Sequence, residues 1–115
     1  MVKRKSEYQI LQKEHICGGD GMLTAEFLLS PAELYDKGRV FSKMTLEPGS
    51  SIGYHIHEGE MESYFIISGK AEFGDNGETV TLLPGDTTLT LSGEGHSIRS
   101  IGETALEFIA LILHK

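Results

Sequence analysis

From residue 39 to the C-terminus, apolar and polar positions alternate in short runs broken by glycine, proline and asparagine. "RVFSKMTL" runs into Pro48-Gly49, "ESYFII" stops at Ser68-Gly69, and "TTLTL" lies between Gly85 and Gly93. "AEF" and "TVTLL" flank "GDNG", where Asn76-Gly77 is a strong hairpin signal. "ALEFIALIL" closes the chain. Seven or more strands at roughly ten-residue spacing predict an all-β barrel or sandwich. Two of them, "MESYFII" and "LEFIALIL", are apolar on both faces, so one face lines a core and the other needs a cover. The N-terminal segment or a second subunit can supply it, and a homodimer is expected.

One stretch carries helical signals. In "LSPAELYDKG", Ser30 can cap, Pro31 suits a first helical position, Glu33 completes a capping box and Gly38 is a stop. A short helix over 31–36 is predicted as a connector. Residues 1–38 are expected to form a strand, turn and short helix packed on a barrel of residues 39–115.

Composition narrows the function. Seventeen acids against ten bases give a formal net charge of −7, which argues against nucleic acid as a partner. "MVKRKS" is basic but no apolar stretch follows it, so it does not read as a signal peptide. "FIALIL" is too short to span a bilayer. A cytoplasmic protein without membrane association is expected. Cys17 is the sole cysteine, so no intrachain disulfide forms. With His15 it could make a minor metal-binding pair, although such a cysteine is more often an apolar filler. "GGDG" at 18–21 lacks a strand-then-helix frame and reads as a turn, not a phosphate loop. His15 and His114 are expected at the surface.

The chemistry concentrates in "GYHIHEGEMES", residues 53–63. His55 and His57 share one face of a strand, while Ile56 points the other way. Glu62 starts the next strand, and antiparallel pairing can bring its carboxylate back to the histidines. Glu58 and Glu60 are rivals that fall in the expected turn and read as solvated. His96 follows the glycine-rich "SGEG" and is a fourth candidate. Tyr64 and Ile66 share the strand parity of Glu62, so Tyr64 can line a pocket or serve as a core tyrosine. Tyr54 has the opposite parity to the histidines and reads as structural. Lys43 and Arg39 could face a carboxylate guest, although a solvated edge is the commoner place for such residues.

From Gly49 to Ser100 these residues resemble the cupin superfamily. Gly49, His55, His57, Glu62 and Gly69 fall at every spacing of its first motif. Gly85, Gly93 and His96 keep register with the second, which this chain departs from at Leu91 and Ser100, where proline and asparagine would stand. The resemblance implies a double-stranded β-helix, or jelly-roll, barrel. It also implies a metal held by His55, His57, Glu62 and His96. Three imidazoles and a carboxylate without thiolate suit Mn, Fe, Co, Ni or Zn. An octahedral ion would keep two open positions, and its residual positive charge would favour a small anionic organic molecule. The family includes decarboxylases, dioxygenases and isomerases as well as binding domains. The resemblance therefore supports two readings: a metalloenzyme acting on a small chelating organic acid, or a non-catalytic module that binds or senses an acid or sugar. Oxalate decarboxylases as a family place an arginine three residues before the first histidine, and here that position is Ile52. Ile52, Tyr64, Lys43 and Arg39 are the candidate substrate-contacting residues.

Overall fold

The computed structural model describes residues 1–115 and contains ten strands in two antiparallel sheets. The strands are β1 (Gln9–Glu14), β2 (Met22–Phe27), β3 (Gly38–Leu46), β4 (Ser51–Ile56) and β5 (Glu60–Ser68). They continue with β6 (Ala71–Asp75), β7 (Glu78–Leu82), β8 (Thr87–Thr90), β9 (Gly95–Ser100) and β10 (Leu106–His114). The larger sheet has the order β1-β2-β3-β10-β5-β8, and the smaller has the order β4-β9-β6-β7. This is the jelly-roll arrangement that the family resemblance implied.

The alternation seen in the sequence becomes the core. Along β3 and β10 every second residue is buried, which puts Val40, Met44, Leu46, Leu106, Phe108 and Ile112 between the sheets. Tyr64 and Ile66 of β5, Phe73 of β6 and Ile98 of β9 meet them. The Asn76-Gly77 signal is realised as a two-residue hairpin between β6 and β7. Both residues lie at positive φ, 50° and 92°, as its turn demands.

The expected helix over 31–36 does not form. The capping box does: the Ser30 backbone N–H donates to Glu33 Oε1 at 2.8 Å, and the Glu33 N–H donates to Ser30 Oγ at 3.2 Å. Tyr35 and Asp36 then turn left-handed, at φ 55° and 56°, and the segment remains a run of turns leading into β3. So few residues give too few hydrogen bonds to offset the cost of starting a helix. Helical structure is confined to two three-residue 3-10 turns, Lys5–Glu7 and Ile16–Gly18. No helix is long and apolar enough to cross a membrane.

The N-terminal residues are integral to the sheet. β1 pairs with β2 and β2 with β3, so the larger sheet extends past the barrel wall. The 3-10 turn at Ile16–Gly18 then folds against β4. There a Cβ on Gly53 would stand 2.0 Å from the Cys17 carbonyl oxygen, so only glycine permits the approach.

Three bulges interrupt the pairing of the strands; one, between Glu107 and Phe108, lets the β10–β5 register skip Ile67. Between Ile52 and His55 the β4–β9 register slips by one residue, and between Ile112 and Leu113 the β10–β3 register skips Arg39. A bulge re-aims the side chains next to it.

Phe108 is fully buried and packs edge-on to Tyr64, with ring centroids 4.8 Å apart. Phe108→Ala is expected to lower the unfolding free energy by about 3–5 kcal/mol. Urea titration should show this as a lower midpoint at an unchanged slope.

Candidate metal centre

Three separate pairings bring the ligand candidates together. His55 lies opposite His96 in the β4–β9 ladder. His57, just past the end of β4, is held by its own backbone: its N–H donates to the Glu94 carbonyl, and its carbonyl accepts from Gly93. Glu62 of β5 pairs with Thr90 of β8 and projects inward between the sheets. His57, Glu62 and His96 are buried, and His55 is partly so.

The side chains converge on a point. His57 Nε2 lies 2.9 Å from Glu62 Oε1 and 3.1 Å from His96 Nε2. His96 Nε2 lies 3.0 Å from both Glu62 Oε1 and His55 Nε2. All four donor atoms fall within 4.8 Å of one another.

The outer nitrogens show what these atoms present. His55 Nδ1 lies 2.7 Å from the Gly53 carbonyl oxygen, and His57 Nδ1 lies 2.9 Å from Glu60 Oε1. A carbonyl and a carboxylate only accept, so both Nδ1 atoms donate and both Nε2 atoms turn lone pairs inward. His96 Nδ1 meets the hydroxyl of buried Thr90 at 2.9 Å. The centre is therefore a crowd of acceptors with a shortage of protons to share, and a cation satisfies such a set. Burial pushes the His55 pKa down, which keeps that imidazole neutral. By donor chemistry and by geometry, His55, His57, Glu62 and His96 form a cluster suited to a metal ion.

Glu60 was expected to be solvated in the turn, but it begins β5 and is only 13% exposed. Arg39 grips its carboxylate through two hydrogen bonds of 2.7 and 2.8 Å. That guanidinium, with His57 as a smaller contributor, holds the Glu60 pKa at about 2. The result is a chain from Arg39 through Glu60 to His57. The bulge in β3 accounts for it: Lys43 pairs with Glu107 on the outer side of the sheet, whereas Arg39 reaches the cavity beside the cluster. Lys43 is not among the residues lining that cavity.

The bulge in β4 works similarly. Ile52 and His55 are three apart, which on a regular strand puts them on opposite faces, yet both line the cavity. Tyr54 is exposed, and so are His15 and His114. Tyr64 is buried, stacks on the His96 ring with centroids 5.1 Å apart, and also lines the cavity. Burial and the neighbouring Glu62 carboxylate push its phenol well above the usual range, so it keeps its proton. The sequence gives no sign of Thr90, of the rim residues Leu11 and Lys13, or of the part that Glu60 plays. No spacing rule points to them, because their relation to the cluster is made by pairing between distant strands.

A family model described as "Cupin domain" matches residues 42–112. An "Oxalate-binding protein" of Thermotoga maritima is 45% identical over 113 residues, 98% of this chain and 93% of the relative. The crystal structure of a predicted oxalate decarboxylase from the same organism superposes with a TM-score of 0.95 at 44% identity, covering 100% of both chains. The cupin domain of an Enterobacter cloacae transcriptional regulator matches with a TM-score of 0.70 at 23% identity. It covers 81% of this chain and 97% of that one, and at that identity it speaks to fold alone.

The low Glu60 pKa has a consequence in acid. A carboxyl at about 2 in the fold and 4.5 when free stabilises the protein fully above the free value. That contribution is lost as pH falls from 4.5 towards 2. Glu60→Gln should therefore lower stability at neutral pH and flatten the acid limb of an unfolding profile followed by circular dichroism.

Proposed function

The chain belongs to the cupin family, and on that premise we propose that it binds one divalent transition ion and uses it to capture a small chelating organic acid. The observation that carries this reading is the acceptor-rich cluster of His55, His57, Glu62 and His96, whose outer nitrogens are already committed to Gly53, Glu60 and Thr90. The donor set suits Mn, Fe, Co, Ni or Zn. Bound there, such an ion would supply Lewis acidity and a local positive charge for an anionic guest. The oxalate-binding relative supports the choice of an acid as guest.

The residues of the chain divide the remaining work. Gly53, Glu60 and Thr90 orient the imidazoles, and Arg39 fixes Glu60 in turn. Ile52 and the neighbouring apolar wall line the approach to the cluster. A second reading, in which the site turns its acid over as a decarboxylase, dioxygenase or isomerase, is favoured by Tyr64. Its phenol retains a proton next to the Glu62 carboxylate, where it can donate to a guest.

The outer face of the larger sheet bears on assembly. Phe65, Ile67 and Leu89 are exposed on β5 and β8, beside the half-buried Ile109 and Leu111 of β10. We propose that this face pairs two copies of the chain, as the two-sided apolar strands led us to expect. Phe65→Glu should then convert a dimer to a monomer in light scattering, and a wild-type monomer at high concentration would refute the pairing.

Elemental analysis of the purified protein should find close to one transition ion per chain, and His57→Ala should lose most of it. Full metal content in His57→Ala would reject the assignment. Glu60→Gln should retain the site but bind about 10–100-fold more weakly, the usual cost of removing a group that orients a ligand.

A further inference from the structure

The cavity above the cluster has a volume of about 310 Å³. That is the lower end of the range in which proteins enclose whole organic ligands. Its floor is polar, and its walls are not. Leu11, Ile16, Leu23, Phe27, Val40 and Met44 surround the space beyond the metal candidates, and none offers a side-chain hydrogen bond.

The charges at the cavity are unevenly available. Arg39 lines it, but Glu60 already occupies its guanidinium in a two-point contact. Lys13, at the rim on β1, makes no ion pair. A dianion as small as oxalate would fill the polar floor and leave the apolar walls wet. Water against such walls has few partners. A sugar fits worse, since its hydroxyls would be buried without hydrogen bonds. The walls call for hydrocarbon.

We propose that the preferred guest is an α-oxo or α-hydroxy acid carrying an aromatic or branched aliphatic body. Its chelating head lies over the cluster, and its body lies against the wall built by β1, β2 and the 3-10 turn at Ile16–Gly18. The inference rests on the metal-dependent acid binding proposed above and adds the class of acid. Two features of the N-terminal region serve it. Leu11 and Ile16 complete the wall, and Lys13 draws the anion towards the opening. The region is held in place where the Cys17 carbonyl packs on Gly53, so the wall is a fixed part of the fold.

The test is isothermal titration calorimetry on the full chain loaded with manganese, with oxalate, pyruvate and phenylpyruvate as probes. Pyruvate and phenylpyruvate share a head and differ by the body. Phenylpyruvate is expected to bind at least about tenfold more tightly than pyruvate, the gain from burying an aromatic group. The tighter binding should come with a more negative heat-capacity change. Ala25, buried in the same wall, gives a narrowing variant: Ala25→Leu should cost phenylpyruvate about tenfold relative to oxalate. If that variant fails to fold, Leu11→Asn at the exposed rim should still cost phenylpyruvate severalfold relative to oxalate. Oxalate binding most tightly, or equal affinity for pyruvate and phenylpyruvate, would overturn the inference and leave the metal-dependent acid site standing. No binding of any of the three acids to the loaded protein would overturn both. Phenylpyruvate binding as tightly after chelator treatment would remove the head from the proposal and overturn it.

Discussion

Three imidazole nitrogens and a carboxylate oxygen held within 4.8 Å, with three of their side chains buried, offer more lone pairs than protons and are steadied by a positive charge among them. Everything near the cluster serves to keep that arrangement in place. The imidazoles cannot rotate away, because their far nitrogens are bonded to Gly53, Glu60 and Thr90. The carboxylate cannot retreat, because Glu62 is on a strand paired on both sides, with β10 and with β8. A loose chain would relieve the crowding by moving. A barrel whose core is filled by Tyr64, Phe108, Ile66 and Ile98 cannot.

Regular strands alone would not have built this site. Side chains on an undisturbed strand alternate strictly, so Ile52 and His55 could not face one cavity, nor could Arg39 leave the outer row shared by Phe41 and Lys43. One inserted residue in β4 and another in β3 resolve both conflicts. The second of these joins Arg39 to Glu60 and thereby to His57. A surface arginine thus helps orient a buried imidazole. Bulges of this kind disrupt a ladder locally, and here the disruption lies where the chemistry is.

The N-terminal strands give the site its character. The barrel contributes the cluster and part of the apolar lining, while β1, β2 and the turn at Ile16–Gly18 close the wall and carry Lys13. Cys17 takes part through its backbone carbonyl, packed on Gly53, and not through a disulfide. A metal candidate open to water would accept many small anions. With an apolar wall over it, the proposed choice of guest depends on the guest's body as well as on its charge.

The alternation of apolar residues determined the strands, and the same short-range periodicity put His55 and His57 on one face, while the set with Glu62 and His96 was completed by the family resemblance of the two motifs. Two histidines one residue apart must share a face wherever their strand goes. The Asn76-Gly77 hairpin was legible for the same reason: few residues other than asparagine and glycine take up its backbone angles readily. The capping box at Ser30 was legible too, yet it closed a turn and no helix. Local hydrogen bonds favour a helix start, but propagation depends on length and on what the next residues must join. Tertiary structure alone decided that Glu60 is half-buried beside Arg39, that Thr90 supports His96, and that Leu11 and Lys13 stand over the cavity. Those contacts join residues on different strands through pairing register and bulges. No local pattern encodes a register slip, because its energy is set by the packing of the whole sheet.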